Sequence, residues 1–211
     1  MKSRNIMNLS HPILPPYFFL LMFMTLRYSN GTFIMSFQSK ESELSTEVWA
    51  EYKEKIPPLK EFTSCYWEKL DSFATDYTAV WGHCKQKSSS DSTIKCTQFY
   101  HRGNSALRDQ KIIAYGWLNG QTQVGVEISD YRHKAWNHFC WQYSSITGNN
   151  TFYYNGKQVG IVHLEETPSI SSNEELPEAF IIGQDQDEIK GRYELSAMLI
   201  GKLSELNIWD H

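Results

Sequence analysis

The stretch TFYYNGKQVGIV, residues 151–162, constrains the fold more than any other part of the chain. Asn-Gly is the favoured two-residue hairpin turn because both positions tolerate positive φ, so the runs flanking Asn155 and Gly156 are expected to pair antiparallel. The same aromatic and β-branched character recurs in short runs at 33–37, 61–70, 94–100, 111–117, 123–128, 136–144, 179–183 and 198–209. No segment carries the period of a long amphipathic helix, and no internal repeat is present. Many short strands broken by turn residues imply an all-β protein, a β-sandwich in preference to a barrel. KQKSSSDS (85–92) has turn composition and reads as a surface loop between Cys84 and Cys96.

The N-terminus has the form of a secretory signal: Lys2 and Arg4, then the apolar run 17–26, then the small polar stretch SNGT. The run is too short to span a bilayer securely, and a retained signal anchor is the alternative. Residues 1–31 are therefore expected to be a leader and 32–211 a single domain. Cleavage would remove three positive charges and no acid, taking the formal charge from -4 to -7. An acidic secreted domain lacks the basic patch that neutralises phosphates, which argues against a nucleic-acid partner.

Four cysteines, Cys65, Cys84, Cys96 and Cys140, follow the leader, and an even count in a secreted chain favours two disulfides. Zinc is disfavoured, since no C-x-x-C pair exists and His83 adjoins Cys84 instead of being spaced from it. His83, His101, His133 and His163 are scattered and read as surface residues, while His138 reads as a core or strand-edge residue. A glycosidase would want Glu-x-Asp-x-Glu along one strand; Asp185 and Asp187 are flanked by Gly183 and Ile189 at those positions, so no catalytic site is expected. Asn149-Asn150-Thr151 is a glycosylation sequon placed just before a strand, with Asn149 the acceptor; Asn30-Gly31-Thr32 is a second, split by cleavage near Gly31. Trp49, Trp67, Trp117, Trp136 and Trp141 alternate within strands and read as packing residues.

HFCWQYSS, the FYYNGKQ hairpin, IIGQDQD and LIGKLSELNIWD occur in the order and spacing of the pentraxin family, and LKEFTSCYW is similar to that family's first-cysteine strand. Over roughly residues 33–210 the chain resembles a pentraxin. In the family signature His-x-Cys-x-Ser/Thr-Trp-x-Ser/Thr, His138, Cys140 and Ser145 match, whereas Gln142 and Tyr143 depart. The resemblance implies a lectin-like jelly-roll β-sandwich that binds ligands through calcium. It also implies a Cys65–Cys140 disulfide, which leaves Cys84 to Cys96.

Carried over by position, the resemblance names Asp185, Gln186 through its carbonyl, Asp187 and Glu194 as calcium ligands, with Asp109 and Gln110 arriving from an earlier strand. Asp185 stands where a glutamate is usual, and Ala197 where a glutamine is. A calcium ion takes six to eight oxygens, so the loss of ligands implies one good site and a weak or absent second. The implied partner is an anionic ligand, a phosphate-bearing lipid head group or an acidic polysaccharide, held on the ion. The family continues past the position of Asp210, so this chain is a fragment or closes differently, and a homo-oligomeric ring is not assumed. The contrasting expectation is a calcium-independent structural or adhesive module, laminin-G-like or part of a receptor ectodomain.

Overall fold

In the computed structural model, residues 4–8, 27–29, 32–39, 43–57, 59–74, 77–88, 90–103, 111–120, 122–167 and 176–210 are described. The strands are β1 (Arg4–Asn8), β2 (Arg27–Ser29), β3 (Thr32–Ser36), β4 (Ala50–Tyr52), β5 (Glu61–Ser72), β6 (Thr78–Ser88), β7 (Asp91–Gly103), β8 (Ile112–Leu118), β9 (Thr122–Ile128), β10 (Asn137–Ser144), β11 (Asn149–Tyr154), β12 (Lys157–His163), β13 (Glu178–Ile182) and β14 (Ile200–Asp210). One sheet has the order β12-β11-β10-β5-β14-β3-β2, with β1 also paired to β14. The other runs β4-β13-β6-β7-β8-β9. All these pairings are antiparallel, and the two sheets form the lectin-like jelly-roll sandwich. The short strands β1 and β2 come from the segment read as a leader, whose apolar run 17–26 lies outside the described residues.

Period-two burial decides which side chains meet between the sheets. On β5, Phe62, Ser64, Tyr66, Glu68 and Leu70 point inward and alternate with more exposed neighbours. On β10 and β8 the inward residues are Phe139, Trp141 and Tyr143, and Ile112, Ala114 and Leu118. The centre is aromatic: Trp141 stacks on Phe152 at 6.1 Å and 3°, and Phe62 meets Trp141 edge-on at 4.9 Å. The Trp141 indole N–H donates to Asn150 Oδ1 at 3.1 Å, so the buried polar end of the ring is satisfied.

The hairpin forms as expected, with Asn155 at φ 47°, Gly156 at φ 78° and Tyr154 opposite Lys157. Asn155 Oδ1 accepts from the His138 N–H at 2.9 Å, which docks the turn onto the start of β10. Both disulfides join residues directly opposite each other, Cys65 to Cys140 across β5 and β10 and Cys84 to Cys96 across β6 and β7. They close segments with sequence separations of 75 and 12 residues. On a chain-entropy account, replacing both members of the longer-range pair with alanine costs about 4 kcal/mol and of the shorter about 3. Urea denaturation of the two paired-alanine variants tests the order, and a larger loss from the Cys84/Cys96 variant would refute it.

Three sequence expectations are corrected. Residues 85–92 are mostly ladder and not loop, because Lys85 pairs with Lys95 and Gln86 with Ile94; cross-strand pairing overrides the weak strand propensity of Lys and Ser. His101 and His83 are buried, at 0% and 7% exposure, each facing a glutamate that lets a polar ring enter the interior. Asn149 does not precede a strand but opens β11, exposed, with its Oδ1 3.1 Å from His163 Nδ1. Trp67 has the sheet-face packing role expected of it, lying 4.8 Å from His138 on the outer side of its sheet and 38% exposed.

Candidate functional site

β13 delivers the acidic segment, and Gly183 sets its exit angle. Gly183 has φ 86°, its N–H donates to Val80 O at 3.0 Å, and its carbonyl accepts from the Leu199 N–H at 2.9 Å. A Cβ there would lie 2.4 Å from Phe37 Cε1, so only glycine fits both the conformation and the space. Asp185 then turns back over the outer face of the β6–β7 pair. Its Oδ1 accepts from Gln98 Nε2 at 2.6 Å and from the Gln186 N–H at 2.9 Å. Gly82, opposite Gln98 in the ladder, makes this reach possible: a Cβ at 82 would come within 3.0 Å of Gln98 Cγ.

Burial pushes the Asp185 carboxyl above its usual value, and the charges of Asp187 and Glu194 add to the rise. The three acids thus share one electrostatic neighbourhood, although Asp187 and Glu194 are exposed. Gln186 is buried, and its side chain is spent internally, donating to Gly82 O at 3.3 Å and accepting from the Lys190 N–H at 3.2 Å. That leaves its main-chain carbonyl for an ion. Glu188 is held in a tight turn with Gly191 and faces Arg192 at 3.5 Å. Farther along, Lys190 pairs with Glu51 at 2.6 Å and Tyr193 packs on Trp49 at 5.4 Å, so the loop is tied to the strand-β4 region. Glu194 Oε2 accepts from Ser196 Oγ at 3.1 Å, and Ala197 lies buried in a 3-10 turn over Leu195–Ala197.

The donor set is all oxygen, which suits a hard cation. Among the described residues the carboxylate oxygens of the loop do not converge within 4.8 Å; the one trio that does, Cys65, His138 and Cys140, has both sulfurs spent in a disulfide. Coordination at about 2.4 Å requires Asp187 and Glu194 to swing inward towards the fixed Asp185. Asp109 and Gln110 lie outside the described residues. Beside the loop is a cavity of about 390 Å³ whose lining includes Tyr77, Gln98, Tyr100, Trp117, Gln184 and Asp185. Sequence reasoning did not reach Gln98 or Gln184. Alternation in IKCTQFY places Gln98 on the face of Cys96, but nothing local shows which loop crosses that face.

A family model described as the pentaxin family matches residues 34–211. C-reactive protein 1.4 of Limulus polyphemus is 26% identical over 164 residues, 74% of this chain and 58% of that protein. C-reactive protein of Oryctolagus cuniculus is 27% identical over 155 residues, 73% of this chain and 60% of that protein. The neuronal pentraxin receptor of Homo sapiens is 22% identical over 165 residues, covering 78% and 29%. The chain thus spans less than two thirds of the length of these relatives. Among solved structures, the native heptameric SAP-like pentraxin from Limulus polyphemus aligns with a TM-score of 0.61 at 21% identity, covering 83% of this chain and 74% of that one. The matched span includes both disulfides, the strands of both sheets that carry the core, and the acidic loop; the chain belongs to the pentraxin family.

Proposed function

We propose that this chain is a secreted, non-enzymatic recognition protein that binds an anionic ligand through calcium. The observation that carries the reading is the half-buried Asp185 carboxylate, oriented by Gln98 and lying in the field of Asp187 and Glu194 on the same loop. A cation relieves both the burial cost and the mutual repulsion, and then presents positive charge to a phosphate or carboxylate that the bare acids would repel. Asp185, Gln186 through its carbonyl, Asp187 and Glu194 are the ligands, with Asp109 and Gln110 as further donors. Ala197 supplies no side-chain oxygen, so one ion is held more tightly than a second. Assembly into a homo-oligomer and a glycan on the exposed Asn149 belong to the same reading.

Isothermal titration with calcium tests it. Heat of binding is expected for the wild type, with affinity lower by on the order of tenfold or more in Asp187→Ala. Binding to immobilised phosphocholine or an acidic polysaccharide is expected to vanish with a chelator. No heat and no thermal shift at millimolar calcium would leave the second reading, a calcium-independent adhesive module. Ala197 and the unconverged loop oxygens favour that alternative.

A further inference from the structure

The Cys84–Cys96 disulfide lies beside the strand position on which the acidic loop rests. In the β6–β7 ladder the pairs Cys84–Cys96 and Gly82–Gln98 are two residues apart on each strand, so alternation puts both on the face over which Asp185 turns. The Gln98 amide nitrogen carries two hydrogens. Nε2 donates to Asp185 Oδ1 at 2.6 Å and also approaches Cys84 Sγ, a weak acceptor, at 3.9 Å. One side-chain amide thus links the disulfide to the carboxylate. The same rung holds the loop a second time, since the Gly82 carbonyl accepts from Gln186 Nε2 at 3.3 Å.

These rungs lie between two bulges. The register of the ladder shifts between Ala79 and Trp81 and again between Gln86 and Ser88. A slip of one residue turns every side chain of a strand to the opposite face. On β7 such a slip would carry Gln98 to the core side and bring the buried Phe99 outward, and Asp185 would lose its donor. The cross-link opposes it, because Cys84 bonded to Cys96 keeps Gly82 opposite Gln98. Cys84 and Cys96 are 0% and 7% exposed, so the bond is shielded from solvent. The other disulfide, Cys65–Cys140, joins β5 to β10 in the other sheet and has no such neighbour in the loop.

We propose that the Cys84–Cys96 disulfide is a positioning element of the acidic loop, fixing the strand register that aims Gln98 at Asp185 and thereby supporting calcium binding. The proposal rests on the calcium reading above and adds what holds the ligand-bearing loop in place. Calcium sites tune affinity by ligand charge and by the rigidity of their frame. A carboxylate already turned and held leaves less to be ordered when the ion arrives. Cys84, Cys96 and Gln98 act through Asp185 and supply no ligand atom themselves. The disulfide therefore has a role at the site that its contribution to stability does not describe.

The test is calcium titration calorimetry on the intact chain, with thermal melts to check folding. The variants are Cys84→Ala with Cys96→Ala, Gln98→Leu, the combination of all three, and Cys65→Ala with Cys140→Ala as control; Cys84→Val with Cys96→Val replaces the first pair if the alanines do not fold. Calcium affinity is expected to fall at least about fivefold without Cys84–Cys96 and in Gln98→Leu. Combining them is expected to cost less than about twofold more, because both act through one contact. The control keeps its affinity within about twofold, although its longer-range bond contributes more to stability. Hydrogen exchange of residues 183–191 without calcium gives a readout independent of the ion, and it is expected to quicken in the Cys84/Cys96 variant and Gln98→Leu but not in the control. Wild-type affinity and exchange in a folded Cys84/Cys96 variant, equal losses in both disulfide variants, or losses that multiply on combination would overturn the proposal. The exchange differences without any heat of calcium binding in the wild type would support the positioning of the loop and overturn only the calcium reading.

Discussion

Replacing His101 with leucine is expected to destabilise the fold by about 3–5 kcal/mol, as much as any single change in this protein. His101 and Glu68 are each 0% exposed, and Nε2 lies 3.1 Å from Glu68 Oε2 between the two sheets. The Tyr66 hydroxyl is 2.7 Å from His101 Nε2, and the Tyr131 hydroxyl donates to Glu68 Oε1 at 3.3 Å. Burial, and after it the Glu68 charge, push both phenols well above their usual value. Loss of the imidazole leaves a carboxylate in an apolar interior with one weak neutral donor. Replacing both residues with leucine removes the charge itself and is expected to restore most of the loss. Urea denaturation of His101→Leu, Glu68→Leu and the double variant reads this as a coupling energy. Strictly additive losses would show that the two groups act independently.

The second large effect lies at Trp141. Trp141→Ala is expected to cost about 3–5 kcal/mol, the range for a large aromatic lost from a packed core. The ring is 0% exposed, stacks against Phe152, Phe99 and Trp81, and satisfies Asn150. The facing sheet is shaped around it: a Cβ on Gly116 would fall 2.4 Å from Trp141 Cζ2. Gly116→Ala is therefore expected to destabilise the wild type but to be tolerated beside Trp141→Phe, where the smaller ring leaves the space open. Equal losses in the two backgrounds, measured by denaturant midpoints, would show that the glycine serves some other need.

Some of this was legible because it is local. The strand pattern and the Asn155-Gly156 turn follow from residues within a few positions of one another, and the turn has the expected pair of positive φ angles. Likewise, IIGQDQD announces its acids and its glycine. The disulfide pairing came from resemblance and is realised across directly opposed strand positions. Misreadings occurred where long-range pairing decides. Lys85 to Ser88 join a ladder against their own propensity, and His101, read as a surface residue, is buried because Glu68 reaches it from the other sheet.

The sequence by itself determined the period-two strands, the hairpin turn and the acidic loop, since each depends on backbone preferences of neighbouring residues. Only the tertiary structure decided what that loop lies against. Gln98 meets Asp185 across 87 positions, and Gln184 lines the same cavity as Tyr77, Tyr100 and Trp117. Those encounters are set by the strand order β13-β6-β7-β8, which emerges from burying two apolar faces against each other and is written in no single stretch of the chain.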